Sequence, residues 1–401
     1  MLKSAILYTR YFSSTALSSR IAYLWKELRR YYLSHDRFFR NHEVPPVEKK
    51  LALARAVAYL LQAQRSLPDE GMGSFHLVNG WSASYPETTG YILPTLLQYA
   101  ERNKDGNIRK SVLRAADWLL EIQKPSGGWQ GGRVNEDRPE IVFNTAQIIR
   151  GLVAVSKLNE GEKYLDAAAR AGDWLCSVQD ATGPWTQHAL MNRERVYDSY
   201  VDYPLLMLFR ATGVEKYRHH AMKNLDWIVD NKQHENGWFE DCDNTIKHND
   251  RPILHTIAYT IDGLLDSGIF LNERKYVDAA KKAAEVLRLK FERDGYLHGR
   301  YDREWNGSEN MILTGCAQMS IVWLKMAHYS GNNNYAATAT KMNSLLVNLQ
   351  NRGFSKESPD TAGAITGSYP LWGRYEPFAF PNWGTKYLAD ALMLEEDNKK
   401  Y

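Results

Sequence analysis

A small set of side chains in this chain could move protons. His255 and Tyr259 lie four residues apart, so a helix sets both on one face. Asn144 and Gln147 are one turn apart on another apolar segment, and Arg300 stands beside Tyr301. Glu87 follows a proline suited to open a helix, and Asp198, Asp202, Asp241, Asp243 and Glu309 are further acids in comparable places. Two chemistries suit these types. Removing a carbon-bound proton needs a positioned base and donors that neutralise charge as it develops. Cleaving a glycosidic bond needs two carboxyls, one an acid and the other a base or nucleophile. Spacing alone selects no acid pair. Each residue also has a plainer use: His255 as a bonded core histidine, Asn144 as a helix-start bond, Glu87 against a helix dipole, Arg300 and Tyr301 as loop residues.

What must position these groups is a repeat. Six times a helical segment runs into a turn where glycine sits beside, or one residue before, a large aromatic. The pairs are Gly73/Phe75, Gly127/Trp129, Gly183/Trp185, Gly237/Trp238, Gly295/Tyr296 and Gly353/Phe354, with aromatics 54, 56, 53, 58 and 58 residues apart. A period of about 55 is one supersecondary unit, here a helical hairpin. The helix before each turn alternates charge with alanine and leucine at three- and four-residue spacing, which marks an amphipathic outer helix. The helix after each turn is apolar on most faces, as an inner helix must be. Yet the inner helices begin with Glu87, Thr88, Asn144, Gln147, Tyr197, Asp198, His255, Tyr259, Gln318 and Lys386. Buried polar groups are costly unless paired, so these ends are expected to line a wet cavity. The predicted shape is a closed ring of six hairpins, a funnel with an apolar base and a cleft where the inner helices start.

Composition sets broad limits. At 401 residues, 44% hydrophobic and 24% charged, the chain is an ordinary globular protein, and the unbroken repeat argues for one large domain. A net charge of +3 is too small to imply nucleic acid. Cys176, Cys242 and Cys316 are odd in number and far apart, which suits a reducing compartment better than a disulfide framework. No apolar stretch approaches the roughly 20 residues of a membrane span. Residues 1–45 differ from the rest: from Met1 to Arg40, Lys3, Arg10, Arg20, Lys26, Arg29, Arg30, Arg37 and Arg40 face only Glu27 and Asp36. This basic arm reads as a helix packed on the ring, as an amphipathic helix on an anionic membrane surface, or as a presequence.

Two turns carry a recognisable signature. Gln123-Lys-Pro-Ser-Gly127-Gly-Trp129 and Gln179-Asp-Ala-Thr-Gly183-Pro-Trp185 both read Q-x3-G-x-W. This resembles the repeat of the squalene cyclase and prenyltransferase toroids. Tyr85-Pro-Glu-Thr-Thr-Gly-Tyr91, Phe143-Asn-Thr-Ala-Gln147, His255-Thr-Ile-Ala-Tyr259, Gly367-Ser-Tyr-Pro-Leu-Trp-Gly373 and Pro381-Asn-Trp383 are similar to α/α-toroid proteins of bacterial surface-polysaccharide clusters, from about residue 50 to the end. The resemblance implies an all-α (α/α)6 toroid over residues 46–401 behind the arm. It also shifts the function toward carbohydrate, although the fold serves many reactions.

The resemblance to uronate epimerases and polysaccharide lyases implies proton abstraction at C5 of a uronate, by epimerisation or β-elimination. Tyr259 or His255 would be the base, Asn144 and Gln147 would hold the carboxylate, Arg300 would assist, and Glu87 would position the sugar. Trp129, Trp185, Trp238, Tyr197, Tyr200, Tyr301, Trp372 and Arg374 are expected along the sugar's path, since aromatic faces stack on pyranose C–H groups. Hydrolysis by paired carboxyls is the second reading, and inert glycan binding the third. Asp241-Cys-Asp243-Asn244 only partly matches the D-x-D-D of class II terpene cyclases. A zinc site built from Cys242, its flanking acids and His298 follows no known ligand spacing, so neither cofactor nor metal is expected. The partner is an oligo- or polysaccharide, with a lipid-linked glycan at the inner membrane face as the extended expectation for a cytoplasmic enzyme of glycan assembly.

Overall fold

The computed structural model describes residues 44–158, 161–350 and 359–398. The basic arm therefore lies almost wholly outside the described residues, as does the Gly353/Phe354 turn. Among the described residues, twelve α-helices alternate outer and inner: α1 (Pro46–Arg65), α2 (Pro86–Asn103), α3 (Gly106–Glu121), α4 (Val142–Val155), α5 (Glu162–Ser177), α6 (Ser199–Thr212), α7 (Glu215–Asn231), α8 (Leu254–Leu271), α9 (Arg274–Asp294), α10 (Leu313–Ser330), α11 (Asn333–Leu349) and α12 (Asn382–Asn398). The even-numbered helices form the inner ring. Each packs on its neighbours in order, and α12 returns to α2, so the ring is closed. Among the described residues, no helix is long and apolar enough to cross a membrane.

Local chemistry explains the helix ends. Pro86 opens α2, where a missing N–H costs nothing. Asp105 caps α3 by accepting from the amides of Asn107 at 2.9 Å and Ile108 at 3.1 Å. Inner helices can approach closely because small residues face each other: a Cβ on Gly151 would collide with the Gly90 carbonyl.

The repeated turn is a staple between hairpins. At the end of α3, Gln123 donates to its own turn at Gly127 O (2.8 Å) and to Ala167 O of α5 (2.9 Å). Gln179 does the same to Gly183 O (2.6 Å) and His220 O of α7 (2.9 Å). Gln233 reaches Ala279 O of α9 at 2.8 Å, and Gln64 reaches Ser111 O of α3 at 3.1 Å. Gln350 donates to Ala52 O of α1 at 2.9 Å, which ties the last hairpin to the first. Between α9 and α11 the same junction is made by Glu292, which accepts from Thr338 and Lys341, both at 2.6 Å. Gly127 must adopt φ 99°, and a Cβ there would fall 2.5 Å from Arg170 O; only glycine fits.

Among the described residues, seven two-residue strands brace the loops that lead into the inner helices. β1 (Phe75–His76) lies between β2 (Gly80–Trp81) and β7 (Ala379–Phe380), pairing Phe75 with both Trp81 and Phe380 and closing the ring a second time. β3 (Arg300–Tyr301) pairs with β4 (Gly307–Ser308), and β5 (Met311–Ile312) with β6 (Ser368–Tyr369).

Candidate active site

The starts of the inner helices converge on a cup of aromatic and polar side chains. Phe143 at the head of α4 touches Tyr197, Tyr200 and Tyr259, with ring centroids 5.5, 6.3 and 5.0 Å away. Tyr200 and Tyr259 are 4.5 Å apart, Tyr259 and Tyr387 are 6.1 Å, and Tyr387 and Tyr91 are 5.9 Å. The Tyr387 hydroxyl lies 3.3 Å from that of Tyr200. On the rim, Tyr85 meets Trp383 edge-on at 6.4 Å, and the Trp383 indole donates to the Tyr375 hydroxyl at 3.0 Å. Burial holds these phenols protonated, with Tyr85, Tyr91, Tyr259 and Tyr387 all pushed well above their ordinary value. Deep neighbours such as Thr89 and Ala258 are sealed, whereas Glu87, Phe143, His255 and Trp383 keep 7, 8, 8 and 9% exposure. Those four therefore border the opening.

The acids divide sharply. Asp241 pairs with Lys232 at 2.6 Å. Asp243 is sealed, bonded to Arg300 at 2.9 Å and to the amides of Thr245 and Ile253. Glu309 bridges Arg300 at 3.3 Å and Arg374 at 2.8 Å. Asp202 is sealed and takes a bond from Asn224 at 2.8 Å. Glu87 and Asp198 have no cation within ion-pair distance among the described residues. Desolvation pushes the Glu87 carboxyl up to about 7, partly offset by a hydrogen bond from Tyr85. It pushes Asp198 up to about 8 against the pull of the Arg195 charge. The field of Glu87 reaches Tyr91, Tyr197, Tyr259 and Tyr375, so this carboxyl sits among the cup's phenols.

The other expected residues are distributed unevenly. His255 stacks on Tyr259 at 4.5 Å, as their spacing predicts, and its Nδ1 is 2.7 Å from Gln318 Oε1. Burial lowers its pKa to about 4, so the imidazole is neutral. Asn144 stands in the cup, its amide 3.4 Å from the Tyr85 hydroxyl. Gln147 is sealed below it and donates to Tyr200 O at 3.1 Å, away from any substrate. Arg300 is spent on Asp243, Glu309 and the Arg251 carbonyl. Arg374 is at the exposed rim, while Trp372 is half-buried against the core.

Three tryptophans expected on the sugar's path are structural instead. Trp129 and Trp185 have 0% exposure, and their indoles donate to Leu119 O at 2.8 Å and Leu175 O at 2.9 Å of the preceding outer helices. Trp238 donates to Tyr301 O at 3.3 Å, and the buried Tyr301 hydroxyl accepts from the His298 amide at 2.9 Å. The turn tucks each indole inward, because a large ring under the outer helix buries more area than one at the mouth. The cup instead uses Tyr85, Tyr91, Tyr375, Trp383 and Tyr387. Trp383 and Tyr387 repeat on α12 the four-residue spacing of His255 and Tyr259, a signal present in the sequence.

The funnel's base differs from the apolar one expected. Below the tyrosines, Lys325 of α10 bonds Asp262 at 2.6 Å and Asp266 at 2.8 Å of α8. Lys386 bonds Asp390 at 2.8 Å while lying 4.0 Å over the Tyr387 ring, and the Arg150 guanidinium lies 4.3 Å over Tyr200. Three cations and three carboxylates from the inner helices thus underlie the cup; the two lysines pair with the aspartates, while Arg150 donates to Gln147 Oε1 at 3.4 Å and keeps Nη2 buried without a partner. Among the described residues, no three His, Cys, Asp or Glu side chains converge as a cation's ligands; Cys242 instead contacts Thr260 Oγ1 at 3.4 Å.

Comparison with known proteins gives the class first. The chain is an (α/α)6 toroid. An unsaturated glucuronyl hydrolase specific for heparin superposes over 89% of this chain and 99% of its own with a TM-score of 0.69, at 14% identity. The unsaturated glucuronyl hydrolase of Bacillus sp. GL1, responsible for degradation of glycosaminoglycan, superposes over 86% and 96% at 0.67, with 15% identity. Identity this low establishes the shared fold. In sequence, 148 residues (35% of the chain) are 28% identical to a probable squalene–hopene cyclase of Sinorhizobium fredii. Another match of 143 residues is 31% identical to the squalene–hopene cyclase of Bradyrhizobium diazoefficiens. The matched stretches span 20% and 19% of those relatives. No family model matches the chain.

Proposed function

We propose that the protein hydrolyses a glycosidic bond in a glycan, with Glu87 and Asp198 as the two working carboxyls. One observation carries this: of six acids at the inner-helix starts, these two alone are bound neither to a cation nor to an amide side chain, and both face phenols in the cup. Two carboxyls whose environments differ can divide the roles. Glu87 accepts a bond from Tyr85 that favours its ionised form, so it loses its proton first and acts as base toward water. Asp198 keeps its proton longer and donates it to the departing oxygen. Water's oxygen then bonds the anomeric carbon as the C–O bond to the leaving sugar breaks, and each proton is accounted for. The cup's rings supply the pyranose-stacking faces, and neutral His255 supplies an acceptor for a sugar hydroxyl.

The glucuronyl hydrolases that share the fold support a carbohydrate substrate and a hydrolytic outcome. C5 proton abstraction, the chemistry first suggested by the sequence, needs cationic or amide donors on the uronate carboxylate. Arg300 and Gln147, the residues expected there, are engaged elsewhere. The test is incubation with glucuronate-containing oligosaccharides in deuterated water, followed by NMR and near-ultraviolet absorbance. New reducing ends with no deuterium at C5 and no new chromophore support hydrolysis. Deuterium at C5 without cleavage would return the assignment to an epimerase.

A further inference from the structure

Among the outer helices, α1 exposes a face of a different kind. Val47 and Leu51 are 64% and 51% exposed, and Ala54 and Ala58 are exposed along the same line. At 3.6 residues per turn, these four positions fall within an arc of about 60°. They form one apolar stripe on the outer wall of the ring, and half-buried Leu61 continues it. Lys50 and Arg55 flank the stripe on opposite sides, and Arg65 stands at its far end. Every charge that α1 exposes is therefore positive; Glu48 is half-buried, and Lys49 is buried against Glu395.

The other outer helices do not share this pattern. Among the described residues, α3, α5, α7 and α11 expose no large apolar side chain, and α9 exposes only Leu289. The exposed positions of α5 include Glu162, Lys163, Asp166, Arg170 and Asp173, with both signs interspersed. That is an ordinary solvated face. An apolar stripe between cationic edges is instead the pattern of a helix that rests on an anionic lipid surface.

Charge decides between occupants. A second copy of the chain on this stripe would set cationic edges against cationic edges, and like charges across an interface oppose association. The segment from Met1 to Arg40, with eight Lys and Arg against Glu27 and Asp36, is disfavoured there for the same reason. Anionic lipid complements both. The segment leads directly into α1 and interleaves Tyr8, Tyr11, Tyr23, Trp25 and Tyr31 with its cations. Tyrosine and tryptophan favour the headgroup level of a membrane, and each cation near such a surface adds to the attraction.

We propose that the outward face of α1 docks on an anionic lipid surface, with the charge of the preceding segment adding to the attraction. The test uses the full chain, floated through a density gradient with vesicles of phosphatidylcholine alone or of phosphatidylcholine with phosphatidylglycerol. The protein should float with the anionic vesicles and not with the neutral ones, and added salt should release it. Val47→Asp with Leu51→Asp should weaken vesicle binding about tenfold or more. The melting temperature should not change, because both side chains already face solvent. Ala54→Leu should tighten binding about tenfold, a gain that a damaged fold would not give. Flotation with neither vesicle, equal flotation with both, or anionic binding left intact by the paired aspartates would overturn the proposal. So would a dimer in lipid-free solution that the same pair dissolves, seen by analytical ultracentrifugation, since the stripe would then belong to a second copy. If the paired variant does not fold, Ala54→Leu decides: unchanged binding would exclude the stripe as the contact.

Discussion

His255 Nδ1 and Gln318 Oε1 meet at 2.7 Å across the α8–α10 boundary, and this contact decides what the histidine offers the cup. With Nδ1–H donated to the amide oxygen, Nε2 carries the lone pair. Desolvation, with a pKa near 4, keeps the ring neutral across the physiological range. Gln318→Glu places an anion there and favours the imidazolium. The expected result is a His255 titration shifted upward from about 4, followed by 15N NMR on histidine-labelled protein. Activity should fall about tenfold or more as the acceptor is lost. An unmoved titration would mean that Gln318 does not hold the ring.

Glu87 makes the pH profile diagnostic. If Glu87 must be ionised and Asp198 protonated, kcat/KM rises as pH passes about 7 and falls as it passes about 8, a narrow bell. Glu87→Gln should remove the acid limb along with most of the activity. A broad plateau from pH 5 to 9 would exclude the pair.

The same carboxyl should weaken the fold. Its folded-state pKa is raised from 4.5 to about 7, so the native state holds the proton more tightly than the unfolded chain. Stability is therefore fullest below about 4.5 and declines as pH rises to about 7, beyond which the penalty is constant. Glu87→Gln should stabilise the protein by up to about 3 kcal/mol at pH 8 and by little at pH 4.5. Urea denaturation at the two pH values measures the difference. A gain in stability with a loss of activity is what a functional site in tension with its fold produces.

The fold was legible because one staple recurs: glutamine and tryptophan each satisfy a fixed backbone carbonyl, and glycine alone fits the positive φ between them, so spacing survives from repeat to repeat. Polar starts of the inner helices were legible for the same reason, and His255, Tyr259, Asn144 and Glu87 do meet in one cup. The acid partners were not. Asp243 and Arg300 join loops of successive hairpins, and Glu309 and Arg374 do likewise; sequence distance says nothing about such pairs. The tryptophans misled because their turn position is shared while the direction of the ring is set by packing. Tyr375 and Arg195 carry no periodic signal at all.

That division predicts opposite behaviour for two tryptophans. Trp185→Phe leaves the Leu175 carbonyl without its 2.9 Å bond, which should cost about 1–3 kcal/mol of stability and leave kcat/KM of the folded protein unchanged. Trp383→Phe removes the bond to Tyr375 at the cup rim, which should lower kcat/KM with a smaller loss of stability. Thermal denaturation and initial rates on both variants measure this, and equal activity losses would restore the first tryptophan to the substrate path.

The charged floor beneath the tyrosines supplies the sharpest stability test. Lys325 is held charged by Asp262 and Asp266, and together they close the inner ring between α8 and α10. Lys325→Met has similar length but leaves two carboxylates facing each other in the interior. Removing one partner of a buried ion pair costs about 3–5 kcal/mol, far more than the pair itself contributes. The loss should be largest at pH 7 and should shrink toward pH 5, because protonating either aspartate relieves the repulsion; Asp266 is already shifted upward by burial. Adding Asp262→Asn and Asp266→Asn to Lys325→Met should recover most of the stability at pH 7. If the single variant is as stable as the native protein, the floor is solvated, and the toroid is open along its axis rather than closed beneath the cup.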